Sequence, residues 1–263
     1  MSTDIPDSHP RKVSLEMRER LVHGWEQKVV ATAGLFAHGR GEAFDYILGE
    51  QTHAAADSAI EAAAAALLLA DKPVISVNGN VAALTAKECV DAGRAASAQL
   101  EINLFYRCLE REKAIEQVLL AAGAKTVYGV GEDADSRVPG LESERGKVDS
   151  RGIFHADVVF LALEDGDRTE QLVRMGKKVI AVDLNPFSRT AQFADITIID
   201  NIVRVFPLLI EKIEKLKTKD KTAVWKIVDL YNNKKTVGEV IKAVRLKLAD
   251  MEKKGIFMEV PKE

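Results

Sequence analysis

Several short polar segments carry the side chains from which a reaction could be built. EDGDRTE, at Glu164 to Glu170, sets the carboxylates Glu164, Asp165 and Asp167 beside a glycine and an arginine; such oxygens can hold Mg²⁺, or orient an amine and take its proton. DLNPFSRT, at Asp183 to Thr190, joins an acid suited to ribose hydroxyls with Arg189 and a following helix start suited to an anion. HGRGE, at His38 to Glu42, places the Arg40 cation between two glycines that expose backbone N–H groups, a pattern that suits a phosphate. Asn78 and Asn80 flank Gly79, where a ligand can approach the backbone closely. Asn103 and Arg107 stand near a strand-to-helix junction and are preferred there over Arg111 as anion contacts. Each segment also has a plain structural reading: Asp167 and Ser188 as helix caps, Asn78-Gly79 and Pro186 as turns, HGRGE as a flexible connection, His38 as a packed histidine. Both readings stay open on the segments alone.

The elements that must position these side chains follow from the rhythm of apolar residues. From Pro73 onward, short β-branched runs alternate with helical stretches, the pattern of βαβ units and a parallel sheet. Six runs are expected as strands: Val74 to Val77, Leu100 to Leu104, Thr126 to Tyr128, Val158 to Leu163, Val179 to Val182 and Ile196 to Ile199. Helices are expected near Ala86 to Ala96, Arg107 to Ala122 and Thr169 to Met175 as crossovers. The fold class is therefore α/β, a doubly wound and mostly parallel sheet. In such sheets ligands bind outside the carboxyl ends of the strands, and Asn78 to Asn80, EDGDRTE, DLNPFSRT and Asp200-Asn201 all follow strands. They should share one rim. Ahead of the sheet, Ser14 is expected to cap a first helix, Gly34 to Gly41 to interrupt the helical stretch, a second helix to begin near Glu42, and Thr52 or a neighbour to cap an alanine-rich third. The heptad-like spacing after Asn201 predicts a closing helix, and Lys215 to Lys221 reads as a linker to two amphipathic helices. That divides the chain into a catalytic unit over 1–216 and a helical extension over 217–263.

Composition narrows the function class. With 263 residues, 47% hydrophobic and 29% charged, the chain can bury a sizeable core. A formal net charge of -3 gives no electrostatic reason to expect nucleic acid or an acidic membrane as partner. Cys89 and Cys108 lack metal-ligand neighbours, and the polar first twenty residues do not read as a signal peptide, so a cytoplasmic protein is expected. Two motifs fall short. Gly129, Gly131 and Ala134 match G-x-G-x-x-A, but Asp133, Asp135, Pro139 and Gly140 occupy the place of an apolar helix. Gly140, Gly146 and Lys147 miss the P-loop spacing, and Val148 replaces its Ser or Thr.

SHPR at 8–11, GLFAHGRGEAFDYILGE at 34–50, PVISVNGN at 73–80, EINLFYR at 101–107, LEDGDRTE at 163–170 and DLNPFSRTA at 183–191 together make the chain resemble the archaeal 4-phosphopantoate:β-alanine ligases, or phosphopantothenate synthetases. The resemblance runs to about Asn201, with Cys108 standing where a threonine is expected. It implies an ATP-dependent condensation of 4-phosphopantoate with β-alanine to 4'-phosphopantothenate, AMP and pyrophosphate through an acyl adenylate, in coenzyme A biosynthesis. It implies a Rossmann-like homodimer, and nucleotide contacts at Arg18, Arg40, Asp183, Leu184, Asn185, Arg189, Thr190, Asn201 and Ile202.

That chemistry brings two anions together, which Arg18, Arg40 and Arg189 with Mg²⁺ can offset. The amine must then be neutral, so Glu164, Asp165 or Asp167 can orient it and accept its proton. His9, Arg11, Asn78, Asn80, Asn103 and Arg107 are the candidates to hold 4-phosphopantoate. The competing readings are a nicotinamide-dependent oxidoreductase that would use Gly129 to Ala134, and a nucleotide-binding protein without turnover.

Overall fold

The computed structural model describes residues 5–255. Three helices come first: α1 (Lys12–Glu26), α2 (Thr32–Leu48) and α3 (Ala54–Leu69). The α/β part follows as β1 (Pro73–Val77), α4 (Gly79–Ala96), β2 (Gln99–Ile102), α5 (Leu109–Ala121), β3 (Ser136–Arg137), β4 (Lys147–Val148), β5 (Val158–Ala162), α6 (Gly166–Arg174), β6 (Lys178–Val182), α7 (Arg189–Phe193) and β7 (Ile196–Ile198). The chain closes with α8 (Ile202–Lys217), α9 (Lys221–Leu230) and α10 (Asn233–Lys254). No helix of the described residues is long and apolar enough to cross a membrane.

Five strands form one sheet in the order β2-β1-β5-β6-β7, and every neighbouring pair is parallel. The side-chain period of two sends alternate residues to opposite faces. Ile75, Val77, Phe160, Ala162, Ile180 and Val182 join a core with α1, α3, α4, α5 and α8. Val74, Val159, Leu161, Val179 and Ala181 join a second core with Val138, Leu141, Ile153 and Leu172. Burial on both faces explains why these strands read as continuous apolar runs. The alanines of α3 let it lie close to α8, which packs along both α3 and α4. The last two helices stay with this body: α9 packs on α3, and α10 on α3, α2 and β7.

Several expectations are corrected. Thr126 to Tyr128 is not a strand; Tyr128 makes a single parallel bridge to Glu101, because β2 is the sheet edge and only three residues are offered to it. The glycines of 34–41 do not interrupt a helix, and none begins near Glu42: α2 runs unbroken from Thr32. Ser14 lies inside α1, with its hydroxyl donated to Glu42, and Thr52 donates to Asp200 instead of capping α3. The first crossover helix starts at Gly79, seven residues earlier than the periodicity indicates, and is kinked at Thr85 (φ -146°, ψ 33°).

Two glycines explain where α2 sits. A Cβ on Gly34 would strike Asn80 Oδ1, and one on Gly41 would come within 3.3 Å of Leu184. Bare backbone at both points lets the helix lie against the loops that follow β1 and β6, across the carboxyl edge of the sheet.

Glu101, on the edge strand, is fully buried and accepts from the amides of Asp149 (3.1 Å) and Ile153 (2.6 Å), pinning the segment before β5. Burial outweighs these two bonds and pushes its carboxyl up to about 7. A folded-state value above the free one favours the protonated native form, so this contribution is complete near pH 4.5 and is lost as pH rises through 7. Urea unfolding should show stability falling by up to about 3 kcal/mol between pH 5 and 8 from this group, and Glu101→Gln should flatten that slope; parallel slopes in the two proteins would contradict it.

Candidate functional site

Strand order reverses between β1, which leads through α4 to β2, and β5, which leads through α6 to β6. Loops diverge at such a point and leave a crevice outside the carboxyl ends. A cavity of about 310 Å³ opens there, walled by Asn78 to Asn80, Leu163 to Asp165, Gly34, Ala37 and Arg40 of α2, Leu104 to Tyr106, Arg111 and Arg145.

The floor is built by short-range geometry. Asn78 caps α4, accepting from the amides of Asn80 and Val81 at 3.1 Å, while its own amide donates to Ala162 O at 2.7 Å and ties β1 to β5. Asn80 donates to Gly34 O at 2.9 Å and ties the same turn to α2. Leu163 takes a left-handed conformation (φ 52°), unusual for a branched side chain, and turns the next residue inward. That residue is Glu164, whose side chain is 1% exposed and accepts from Arg145 Nη1 at 2.8 Å and from Arg168 Nη1 on the same oxygen. Asp165 caps α6 through Oδ1 to the Arg168 amide (2.8 Å) and leaves Oδ2 without a hydrogen-bond partner.

These environments push two adjacent carboxyls apart. Burial would raise Glu164, but Arg145, Arg168 and the Asp165 amide hold it below the usual carboxylate range. Burial, followed by the charge of Glu164, raises Asp165 against the Arg168 amide and both guanidinium groups. One carboxyl stays ionised as structure and the other is raised above its ordinary value, the kind of split by which candidate acid–base groups are recognised.

The other carboxylates of EDGDRTE turn away. Asp167 pairs with Arg189 at the surface, and Glu170 pairs with Arg189 at 2.8 Å and with Arg174. The segment is therefore not a metal cluster, and among the described residues no group of three or more His, Cys, Asp or Glu could hold a metal ion. HGRGE is likewise not a backbone cradle, since its amides lie inside α2, but Arg40 projects into the cavity wall and has no hydrogen bond or ion pair of its own among the described residues. Its charge lowers the carboxyl of Asp183, which is raised chiefly by burial and accepts from Ser188 Oγ and the Asn185 amide. Arg40 thus lies within electrostatic reach of Asp183.

Of the remaining candidates, Arg189 is exposed beside that rim and Asn185 is half-buried, while Leu184 packs under Gly41 and Thr190 donates to Glu164 O at 3.0 Å. Asn201 caps α8, and it and Ile202 are buried. Arg18 pairs with Glu42 at 2.8 Å; Arg11 joins Glu42 and Glu50 and stacks on Tyr46; His9 accepts from the Arg11 amide. These three stand outside the cavity wall. So do Asn103, whose amide holds Arg145 O and Lys147 O, and Arg107, bound to Glu112 at 2.6 Å and to Gly129 O. Asn103 keeps Oδ1 without a hydrogen-bond partner, and Arg111, which lines the cavity, likewise holds backbone carbonyls, those of Tyr106 and Val29.

Arg145 escaped sequence reasoning, and Arg168 was noticed only as the arginine of EDGDRTE, with no role assigned. Arg145 lies on the turn between β3 and β4, far in sequence from any rim segment, and no local pattern marks it. Gly131–Asp133 forms one 3₁₀ turn and no α-helix follows, so the Gly129 to Ala134 segment offers no helix N-terminus to a dinucleotide pyrophosphate.

Residues 55–247 match the family model of phosphopantothenate/pantothenate synthetase. The chain belongs to this family. It is 52% identical over 253 residues to the 4-phosphopantoate–β-alanine ligase of Thermococcus onnurineus, covering 96% of this chain and 97% of the relative. A protein of the same name from Methanosarcina mazei is 45% identical over 249 residues, 95% and 97% of the two chains. In Methanospirillum hungatei a further one is 50% identical over 200 residues, 76% of this chain and 81% of the relative.

Replacing Glu164 by Gln leaves two buried arginines facing one neutral amide. Stability should fall by about 3–5 kcal/mol, read as the midpoint and slope of urea unfolding; a loss under 1 kcal/mol would show that the pair is solvated.

Proposed function

We propose that the protein is the ligase that condenses 4-phosphopantoate with β-alanine to 4'-phosphopantothenate on the route to coenzyme A, with ATP converted to AMP and pyrophosphate. The observation that carries this reading is the cavity at the strand reversal, whose wall brings Arg40, Arg111 and Arg145 together with Asp165, a half-buried carboxyl with one oxygen that accepts no hydrogen bond. Cations on three sides suit a meeting of anions, and a raised carboxyl beside them suits an amine that must lose a proton. The printed names of the relatives from Thermococcus and Methanosarcina support it.

In the first step a carboxylate oxygen of 4-phosphopantoate bonds to the α-phosphorus of ATP, the α–β bridge breaks and pyrophosphate leaves. Arg40, unpaired in the wall, offsets the repulsion between the two anions. In the second step the β-alanine nitrogen bonds to the acyl carbon, the bond to AMP breaks, and Asp165 accepts the proton. Asn78 and Asn80 shape the walls through their bonds to Ala162 and Gly34. The outer rim at Asp183, Leu184, Asn185, Arg189 and Thr190 is the proposed nucleoside side, with Asn201 and Ile202 supporting it from below. Arg18 and Arg11 hold Glu42 and His9 accepts from the Arg11 amide outside the cavity wall, and in the proposed homodimer the ligand that they reach can belong to either subunit. Mg²⁺ would enter as a companion of the triphosphate, held by phosphate oxygens and its own waters, since no group of three or more His, Cys, Asp or Glu among the described residues could hold a metal ion.

An AMP assay with 4-phosphopantoate and β-alanine omitted in turn should show dependence on both, and ATP–pyrophosphate exchange should need 4-phosphopantoate alone. AMP release that ignores β-alanine would sink the reading. Arg40→Ala should lose at least about 2 kcal/mol of transition-state stabilisation, roughly 30-fold in kcat/KM; an unchanged value excludes its role. Asp165→Asn should keep the exchange reaction but slow amide formation about 10²-fold; equal loss in both assays would place Asp165 in the first step instead.

A further inference from the structure

Arg145 touches both carboxylates of the cavity floor, and it does so unequally. Nη1 donates to Glu164 Oε2 at 2.8 Å, whereas Nε stands 3.4 Å from Asp165 Oδ2, within ion-pair distance but outside hydrogen-bond geometry. Neither Nε nor Oδ2 has a hydrogen-bond partner, although both are buried. Both sides of the gap are held in place. The Arg145 carbonyl accepts from Asn103 Nδ2 (3.1 Å), its Nη1 also reaches Asn103 O (3.3 Å), and Asp165 is fixed through Oδ1 to the Arg168 amide. A guanidinium kept short of a carboxylate retains donors for something else, while still lending that carboxylate its charge.

The charges around Asp165 define what that partner is. Glu164 adjoins it, Arg145 comes from the β3–β4 turn, Arg168 lies beneath it on α6, and Arg40 and Arg111 line the cavity from α2 and α5. Arg145 and Arg168 balance Glu164 and Asp165, so Arg40 and Arg111 leave the cavity with surplus positive charge that an anionic substrate will seek. Resting on the function proposed above, we propose that Arg145 is a positioning residue shared between Asp165 and the anionic end of the substrate, so that filling the cavity loosens its hold on Asp165 and readies that carboxylate to take a proton. The base is then strengthened only when there is an acyl group to be attacked. Asp165 already sits above the ordinary carboxylate range with Arg145 beside it, consistent with a hold that is partial.

The test reads Asp165 directly. The carboxyl ¹³C shift of labelled aspartate, assigned with Asp165→Asn, is titrated with and without 4-phosphopantoate in the wild type, Arg145→Met and Arg145→Lys. The wild-type midpoint should rise by about one pH unit on binding. In Arg145→Met the free protein should start about one unit higher and take a smaller step on binding, and Arg145→Lys should fall between. Equal midpoints in the free wild type and Arg145→Met, or a binding step of the same size in both, would overturn the proposal and leave Arg145 a structural partner of Glu164. Should Arg145→Met not fold, a wild-type step in Arg145→Lys overturns it equally. The titration needs no turnover, so with inorganic phosphate as the probe it still decides the sharing if the AMP assay defeats the reaction itself.

Discussion

A carboxylate locked out of water between two guanidinium groups holds this site together. Glu164 draws Arg145 from the β3–β4 turn and Arg168 from α6 onto a single oxygen, and Arg168 reaches on to Ser76 of β1 at 3.1 Å. Three separate parts of the chain are thereby fastened under one cavity. Buried charges of this kind are costly to desolvate and costlier to leave unmatched, so the arrangement behaves as a unit. It also decides what the neighbouring residue can do: with Glu164 ionised and enclosed, Asp165 bears the charge repulsion and stays adjustable.

Much of the architecture was legible in the residues. The β-branched runs mark four of the five sheet strands within a residue or so and locate the edge strand β2, because a parallel sheet buried on both faces leaves no ambiguity about which way the apolar side chains point. The rim was legible for the same reason, since polar residues directly after buried strands have few other places to go. Helix α2 was not. Gly34, Gly39 and Gly41 look like a loop, yet tertiary contacts override helix propensity where the missing Cβ lets Gly34 meet Asn80 and Gly41 meet Leu184.

The side chains of the site were legible in part, and what the spacing left undecided has one cause. Arginines can travel far from their backbone, so Arg111 entered the cavity and Arg107 turned to Glu112, although both lie near the same junction and nothing in their spacing separates them. Arg145 depends on a two-strand turn, folding back onto the sheet edge, that no local pattern announces. A polar strand end can serve structure and cavity together: Asn78 and Asp165 are caps and cavity residues at once, the cap of α6 falling to Asp165 and not to the expected Asp167.

Those caps carry a consequence for how the protein grips a ligand. Asn78, Asp165, Ser188 and Asn201 each spend one or two of the free amides at the start of the helix they begin. The aligned helix ends still offer an anion a favourable potential, but fewer backbone donors remain to fasten it than in a glycine-rich nucleotide loop. Holding then falls to long, mobile cationic side chains, whose attachment is easily exchanged and weakened by salt. Such a site trades tightness for ready release of the anion it would otherwise retain.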